Sequence, residues 1–570
     1  MSDQNFHPSN YSKLRSTYKY YIDIYNALYQ LKKEKEEELN SIYKIIKIEL
    51  IDSNKYPPQN MIKDILNIIP YNNRFAKSYL TLAKLISDEY HVKEVNSVRN
   101  VSKFLFYKEY GIKSDKSDDF QKDYFNNLEI HIDDTIYKAI MNNDLERFIA
   151  FTEREWFDKN QSVKSSLYPY SDEGYSLLEL CCYHGAVDCF KFLRTKFNSE
   201  ITQKCLRFSF LGGNPEIMSE CLKHQEPDKE CMEYAIISHN IDFITFLMNE
   251  YNIEIDLKYC GAYNNLESFL VCFDQTDDFI KFFVYSPMFN IPSLFEYFLS
   301  HGVNVNEKYK DGETALHIAA WNNSKETVEF LISYGANINE KDKDGRTTLH
   351  ITAWNNSKEI AEVLISHGAN INQKDKDRET ALHIAASHNS KETTEVLISH
   401  GANINQKNKD GETALYNAAW NNSKEIAEVL ISHGANINQK DKDRETALHI
   451  AATHNSKETV EFLISHGANI NVKIKKEKPH SILQHGIIVK KLPKCLFHMV
   501  RMSMKKINME ELHFMLQHGI TVKKLLNFLF HTMQISMKRI KKEKLHFMLQ
   551  HGIIVKKLPK CLFHTVQISM

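Results

Sequence analysis

The stretch GETALHIAAWNNSKETVEFLISYGANINEKDKD, from Gly312 to Asp344, decides the fold of this chain of 570 residues. Its landmarks return at a constant step of 33 residues. The Thr-x-Leu signature begins at Thr314, Thr347, Thr380, Thr413 and Thr446. The Gly-Ala-Asn signature begins at Gly335, Gly368, Gly401, Gly434 and Gly467. A fixed period of this length is typical of stacked repeat architectures.

Each copy carries the signals of two helices. Thr314 is suited to capping a helix by accepting backbone N–H bonds, and the small pair Ala319 and Ala320 lets a neighbouring helix approach closely. The apolar run that begins at Val328 predicts a return helix, which Gly335 would end in a left-handed conformation. The unit is therefore two antiparallel helices and a β-turn loop. One such unit cannot bury its own apolar faces, so stability is expected from stacking.

This unit resembles the ankyrin repeat. The matching residues in the first copy are Gly312, Thr314, Leu316, His317, Ala319, Ala320, Leu331, Gly335, Ala336 and Asn339. The resemblance implies an all-α, ankyrin-type helical solenoid over residues 301–472, here called the full repeats. It also implies a function in binding other proteins, with no catalytic residues, no cofactor, no metal and no small-molecule substrate.

Two features depart from the ankyrin pattern. Arg378 and Arg444 stand at the turn position that Gly312 holds in the first copy, and each costs about 1 kcal/mol if that turn needs a positive φ. Tyr416 replaces the histidine of the Thr-x-Leu-His signature in one copy. A shared catalytic role would not tolerate that replacement, so the histidines at His317 and its equivalents are predicted to form structural hydrogen bonds.

Residues 131–300, here called the short repeats, show the same theme faintly. Helical segments there are separated by breaks that lie about twenty-five to twenty-eight residues apart, at His184, Gly212, His239 and Asn264. These are interpreted as degenerate ankyrin-like helix pairs. The region resembles the domain of unknown function that precedes ankyrin arrays in protist protein families, and this resemblance implies a fold but no activity.

Residues 1–130 are predicted to form a helical N-terminal domain. One long helix is expected from Tyr11 to Ile51, and a second helical stretch from Gln59 to His91, interrupted near Pro70. The sequence SDKSDD at Ser114 is typical of a linker. A stripe of tyrosines at helical spacing is interpreted as core rather than as a ligand site; it comprises Tyr18, Tyr21, Tyr25 and Tyr29.

Composition narrows the class of protein. The chain is 42% hydrophobic and 25% charged, as ordinary soluble proteins are. It shows no signal-peptide pattern and no apolar run long enough to span a membrane, so a cytoplasmic location is expected. Its ten cysteines contain no CxxC pair and favour buried reduced thiols. Phosphate-binding loops, GxSxG and HExxH are absent from the sequence, and no enzyme activity is predicted.

The tail, residues 473–570, carries 20 Lys and Arg against 4 Asp and Glu. Its motif LQHGI begins at Leu483, Leu516 and Leu549, in step with the full repeats. If AWNNSKE is written GCA TGG AAT AAT AGT AAA GAA and read from its second base, it gives HGIIVKK, the sequence from His485 to Lys491. We infer that the tail is ankyrin coding sequence read out of frame after the loss of one adenine near Lys473. The alternative is a basic helical cap with its own period of 33 residues.

The candidate site lies on the full repeats. Trp321, Trp354 and Trp420, here called the tryptophan row, follow the Ala pair, where ankyrin proteins usually present side chains to a partner. Ser387 and Thr453 hold this position in the other copies. The loop tips add mixed charges, here called the turn charges: Lys310, Asp311, Lys343, Asp344, Arg346, Lys376, Asp377, Lys409, Asp410, Lys442 and Asp443.

Several functional interpretations follow. The first is a scaffold that binds proteins through the concave face and the loop tips. The tryptophans could instead pack only on their neighbours, and the turn charges could pair with one another as well as select a partner. An adaptor would hold a client on the repeats and recruit machinery such as a ubiquitin ligase through the N-terminal helices. Nucleic-acid or membrane association through the basic tail is disfavoured, because it requires the tail to be an evolved sequence.

Overall fold

The computed structural model describes residues 10–32, 36–53, 56–93, 95, 98–111, 134–169, 174–454, 456–470 and 472. The chain divides into two compact units, Met1–Lys442 and Asp443–Met570. The basic tail and the linker predicted at Ser114 lie outside the described residues. Nearly all regular structure in the described part is helical, which confirms the predicted all-α repeat solenoid.

The N-terminal region contains six α-helices and short turns of other helix types in its described part. They are α1 (Asn10–Thr17), α2 (Lys19–Tyr29), α3 (Glu36–Ile46), a π-helical turn (Lys47–Ile51), α4 (Pro58–Ile68), two 3-10 turns (Ile69–Tyr71 and Asn73–Phe75), α5 (Ala76–Glu89) and α6 (Asn100–Tyr110). The interruption near Pro70 is confirmed by the two 3-10 turns.

The predicted single helix from Tyr11 to Ile51 is wrong. The chain leaves helical geometry at Tyr18, whose φ is −102° and ψ is 19°, and α2 ends at Tyr29. Side chains from elsewhere bind the carbonyl groups near this end: the Tyr79 hydroxyl donates to the Leu28 oxygen at 2.7 Å, and the Asn72 amide donates to the Leu31 oxygen at 3.0 Å. These contacts replace the hydrogen bonds that a continuing helix would supply.

The tyrosine stripe is confirmed as core at Tyr18, Tyr21 and Tyr25, whereas Tyr29 is half-buried. Tyr18, Tyr21 and Tyr25 are almost completely buried, and the Tyr25 hydroxyl donates to the Asp64 carboxylate at 2.7 Å. Burial raises the pKa of Tyr21 and of Tyr25 well above the usual value for tyrosine, because the charged phenolate would lose its hydration. These side chains therefore hold the N-terminal helices together and offer no accessible ligand site.

The short repeats form antiparallel helix pairs. Their elements are α7 (Ile136–Asn142), α8 (Leu145–Thr152), strands β1 (Ser162–Val163) and β2 (Tyr175–Ser176), α9 (Leu177–His184), α10 (Val187–Phe197), α11 (Gln203–Gly212), α12 (Pro215–Leu222), α13 (Lys229–Ile237), α14 (Ile241–Tyr251), α15 (Leu257–Ala262), α16 (Leu266–Thr276), α17 (Phe279–Tyr285), a 3-10 turn (Ser286–Phe289) and α18 (Pro292–Ser300). The two strands pair antiparallel, with Ser162 opposite Ser176.

A left-handed residue separates the two helices of each short repeat. Gly185, Gly213, His239 and Asn264 have φ values of 65°, 67°, 51° and 54°. Each predicted break therefore lies at the left-handed residue or one position before it. Asx side chains then cap the second helix of several pairs by accepting backbone N–H bonds, at Asp144, Asn214, Asn240 and Asn265.

Each full repeat of the first unit has two helices. The helix that follows the signature threonine is here called the inner helix, and the return helix is called the outer helix. The helices are α19 (Ala315–Trp321), α20 (Lys325–Ser333), α21 (Thr348–Trp354), α22 (Lys358–Ser366), α23 (Ala381–Ser387), α24 (Lys391–Ser399), α25 (Ala414–Trp420) and α26 (Lys424–Ser432). The second unit contains α27 (Ala447–Thr453) and α28 (Lys457–Ser465). Gly335 has a φ of 87° two residues after the end of α20, which confirms the predicted left-handed stop.

The signature histidines connect neighbouring repeats. The backbone N–H of Thr314 donates to His317 Nδ1 at 3.2 Å, and the Thr314 hydroxyl lies 2.8 Å from the same nitrogen. His317 Nε2 lies 3.3 Å from the carbonyl oxygen of Arg346, in the next repeat. The predicted threonine cap is therefore present as one half of a threonine–histidine capping pair, and burial lowers the pKa of His317. The predicted structural role of these histidines is confirmed.

Helices α1 and α2 pack against the short repeats. Glu267, at the start of α16, is the centre of this contact: Arg15 Nε lies 2.6 Å from one carboxylate oxygen, and Asn26 Nδ2 donates to the other at 3.3 Å. Close by, the Tyr21 hydroxyl donates to Asn264 Oδ1 at 2.9 Å. Residues more than two hundred positions apart are thus joined by charge-assisted and buried hydrogen bonds.

A series of side-chain hydrogen bonds links the N-terminal turns to α13 and α15. Arg99 donates to the Tyr71 hydroxyl at 2.6 Å, and that hydroxyl lies 3.1 Å from the hydroxyl of Tyr263. Tyr263 in turn donates to the Glu233 carboxylate at 3.0 Å. The N-terminal helices and the short repeats therefore share one buried polar network within the first unit.

Candidate functional site

The tryptophan row lies on one face of the full repeats, because each indole ends an inner helix. Trp321, Trp354 and Trp420 are 38%, 42% and 50% exposed. The rings of Trp321 and Trp354 meet edge to face at 6.0 Å between centroids, and the Trp354 ring lies 3.6 Å from that of His388. Packing on a neighbour is thus observed for Trp321 and Trp354, while a large part of each of the three side chains stays accessible. Partner contact through the row remains a prediction.

The gap that Ser387 leaves in the row is partly filled. His388, the next residue, places its ring against Trp354, so the aromatic surface continues beyond α21. Asn417, on the following inner helix, donates to the Ser387 hydroxyl at 2.9 Å. The surface therefore changes from aromatic to polar between Trp354 and Trp420.

The turn charges pair with one another along the stack. Lys343 Nζ lies 3.3 Å from Asp311, Lys409 Nζ lies 3.8 Å from Asp377, and Lys442 Nζ lies 3.6 Å from Asp410. In each pair the lysine N–H also donates to the backbone carbonyl of the same aspartate, and Lys376 does so to Asp344. The paired side chains are more than 60% exposed, so each ion pair contributes little to stability.

Two of the remaining turn charges have other surroundings. The Lys310 ammonium lies 5.7 Å from the centroid of the Tyr309 ring. Asp443 belongs to the second unit, so it is considered apart from the others. The turn charges of the first unit therefore follow one edge of the stack, with their signs alternating within each turn.

A shallow depression lies beside the first two tryptophans. It is lined by Trp321, Arg346, His350, Ile351, Trp354 and Ile384. Arg346 immediately precedes the helix-capping Thr347, and its side chain is 34% exposed. A cationic group thus lies beside two indole rings, an arrangement suited to binding an apolar side chain together with an anion.

Carboxylates hold the equivalent position in neighbouring repeats. Glu313 is 12% exposed and lies 3.7 Å from Lys258, and burial raises its pKa. The pKa of Glu379 is also raised, first by burial and then by the nearby charge of Asp375. Burial removes water from the charged carboxylate, and Asp375 repels a second negative charge. These glutamates belong to the charged loop tips that the sequence predicts, and the single arginine among them is readable at the residue before each signature threonine.

In the short repeats, the positions that correspond to the tryptophan row form a strip that contacts the N-terminal domain. Tyr183 lies two residues before the left-handed Gly185, as Trp321 lies two residues before the left-handed Asn323. The Tyr183 hydroxyl donates to the Pro70 carbonyl at 2.7 Å. One residue further on, the His184 carbonyl accepts from Arg74 at 3.1 Å. The N-terminal domain therefore covers this strip in the short repeats, an occupancy that the sequence analysis missed.

The periodic helix pairs agree with comparisons with known families. Models described as Ankyrin repeats match residues 285–375 and 382–474 in one case and residues 356–398 in another. The chain is an ankyrin-repeat protein. A model described as Domain of unknown function (DUF3447) matches residues 197–272 of this ankyrin-repeat protein, within the short repeats. No curated protein matches the chain.

Ankyrin repeats are protein–protein interaction modules and are generally not catalytic. In the part of the chain that the structure describes, no helix has the length and apolar content needed to cross a bilayer. The cysteines of the short repeats are free thiols and all are buried, as expected for reduced side chains: Cys181, Cys182, Cys189, Cys205, Cys221, Cys231, Cys260 and Cys272.

Proposed function

We propose that this ankyrin-repeat protein is a scaffold that binds a protein partner through the tryptophan row and the turn charges. The observation that carries the proposal is the exposure of three indoles, by 38%, 42% and 50%, at equivalent positions on inner helices. Burying indole surface gives a large favourable free energy, and tryptophan is enriched among residues that dominate interface energetics.

The turn charges suit selection of a partner more than tight binding. Their side chains are exposed and already paired within the stack, for example Lys409 with Asp377. Exposed charges of this kind mainly affect the association rate and its salt dependence, whereas desolvated anchors set the dissociation rate. The row would therefore supply affinity, and the turns would favour one partner over another.

The test is to replace the tryptophan row by serine, using Trp321→Ser, Trp354→Ser and Trp420→Ser together in the full chain. Serine is chosen because Ser387 already occupies the equivalent position in a folded repeat. Partners retained by the tagged chain would be quantified by mass spectrometry. A loss of more than tenfold is expected, because each hot-spot tryptophan contributes about 2 kcal/mol.

Tyr334→Ser is the matched control, because Tyr334 is 50% exposed in the same array but directly follows an outer helix. It should leave retention unchanged. Circular dichroism would confirm that both variants keep their helical content. Equal retention of the same partners by the wild type and the triple serine variant would contradict binding through the row.

A further inference from the structure

Arg346 is an exception among equivalent residues. The position before the signature threonine is Glu in the other four copies, at Glu313, Glu379, Glu412 and Glu445. Arg346 lines the depression beside Trp321 and Trp354, so the single cation in this series lies beside the aromatic part of the surface.

The guanidinium of Arg346 is poorly satisfied within the chain. Its Nε is buried and has no hydrogen-bond acceptor among the described residues. Its Nη1 lies 3.9 Å from an oxygen of Asp344, a distance too long for a hydrogen bond, and that carboxylate is 67% exposed. An arginine presents five N–H donors in a planar fork that fits a carboxylate. The terminal N–H groups of this partly exposed side chain are therefore available to bind an anion.

The next two repeats present the opposite charge. Glu379 accepts from the Asn417 amide at 3.5 Å, and Glu412 accepts from the Asn408 amide at 2.8 Å. No ion pair with a basic side chain is present at either glutamate in the described part of the chain. Two half-buried carboxylates held by neutral amides would gain from a cation supplied by a partner.

We propose that the partner is a polypeptide segment with three features in a fixed order. A large apolar side chain packs on the exposed surfaces of Trp321 and Trp354, a carboxylate binds Arg346, and a lysine or arginine further along binds Glu379 and Glu412. This inference rests on the proposed function, since it names the chemistry of the segment that the tryptophan row would bind. Charge complementarity fixes this spatial order, with the acidic group beside Arg346 and the basic group beside the following repeats, for either chain direction of the segment.

The probe is a random peptide library displayed on phage and selected against the full chain. Peptides in which an acidic residue lies between an apolar residue and a basic residue, in either chain direction, should be enriched. Synthetic copies of these peptides should bind the Arg346→Glu variant at least about tenfold more weakly, because a charge-assisted pair is lost and a like charge replaces it. The variant is expected to fold, because four equivalent positions already hold glutamate.

A charge exchange tests the order. In the double variant Arg346→Glu with Glu379→Arg, synthetic peptides with their acidic and basic residues exchanged should bind more tightly than the selected peptides do. Arg346→Lys keeps the charge but loses the fork, and it should show an intermediate loss of affinity.

The outcomes separate this inference from the proposed function. Peptides that lose binding in the triple serine variant but bind Arg346→Glu as they bind the wild type would overturn the charge order and leave the tryptophan row in place. Selected peptides that bind the triple serine variant unchanged would contradict the proposed function as well. Enrichment of purely basic or purely apolar peptides would also overturn the inference.

Discussion

Single residues show where this array departs from its own pattern. Arg378 and Arg444 have φ values of 61° and 63°, in the left-handed region that Gly312, Gly345 and Gly411 occupy at the equivalent turn. This turn therefore needs a positive φ, which was the condition under which each arginine was predicted to lower stability. A side chain there is also crowded, since a Cβ at Gly345 would lie 3.0 Å from the Lys376 nitrogen.

Arg378→Gly is expected to raise the free energy of unfolding by about 1 kcal/mol, because glycine removes the left-handed strain. The greater freedom of glycine in the unfolded chain offsets part of this gain. Urea unfolding of the full chain, followed by tryptophan fluorescence, measures the change. The reverse substitution at the equivalent turn, Gly345→Arg, should lower the midpoint, and an unchanged or lower midpoint for Arg378→Gly would contradict the strain argument.

His383 gives the array a dependence on pH. Burial lowers its pKa to about 4, since the ring lies between repeats near the Glu412 carbonyl. The unfolded chain binds a proton near pH 6.5, so it binds more protons than the folded chain between that pH and 4. Stability contributed by neutral His383 is thus present above pH 6.5 and falls by roughly 2 to 3 kcal/mol as the pH approaches 4.

His383→Tyr should remove this part of the pH dependence, because Tyr416 already occupies the equivalent position in the next repeat. The measurement compares unfolding free energies at pH 7 and pH 4.5 for the wild type and the variant. His367→Tyr, on the exposed end of α22, is the control and should keep the wild-type slope. Parallel slopes for wild type and His383→Tyr would contradict the assignment.

At the level of helices, local signals predicted the full repeats well. The ends of α19 and α20 follow from Thr314, the small Ala pair and Gly335, since caps and left-handed stops act within a few residues. The break near Tyr29 was not predictable in the same way. It depends on Asn72 and Tyr79, which bind the carbonyl groups near the end of α2 and are distant in sequence.

The candidate site was predictable to a similar extent. The positions of the tryptophans and the turn charges follow directly from the repeat register. The depression beside Trp321 and the unsatisfied Nε of Arg346 do not, because they depend on how side chains of successive repeats meet. The intramolecular contact of Pro70 with Tyr183 was also hidden, since no short-range pattern joins two such distant segments.

Docking of α1 and α2 should depend on Glu267. Glu267→Ala removes the acceptor of Arg15 and Asn26 and is expected to weaken this contact by about 1 to 2 kcal/mol, a modest value because Arg15 is partly exposed. Hydrogen exchange in residues 10–29 should become faster, while exchange in α19 and α20 stays unchanged. The control is Lys19→Ala, which breaks only the exposed pair with Asp23. Unchanged protection of residues 10–29 in Glu267→Ala would contradict the central role of this carboxylate.

For the whole molecule, the strip that the N-terminal domain covers bears on the adaptor hypothesis. Residues such as Tyr21 and Tyr71 contact the short repeats and are buried there, so the N-terminal helices cannot recruit machinery through that face while docked.

A chain that begins at residue 134 should expose the uncovered strip, bind the dye ANS more strongly and self-associate. Light scattering and ANS fluorescence measure this, and full-chain behaviour from the shortened protein would show that the N-terminal domain is dispensable for folding.

The reading frame decides how long the array is. The family match to Ankyrin repeats ends at residue 474, beside the site at Lys473 where loss of one adenine would displace the frame. Gly486, Gly519 and Gly552 keep the period of 33 residues. The sequence KCLFHMVRMSM from Lys494 is what E-V-L-I-S-H-G-A-N-V-N encodes, with suitable synonymous codons, when it is read one base later.

Sequencing genomic DNA and transcript across the codons for Asn471 to Ile474 should reveal one further adenine and a longer ankyrin array. The same adenine count in both would instead mean that the cell carries this frame and that the basic tail has to be tested as a real part of the protein. Its 20 Lys and Arg would then belong to the working molecule, and binding of the full chain to nucleic acid or anionic vesicles would have to be measured against a chain ending at Val472.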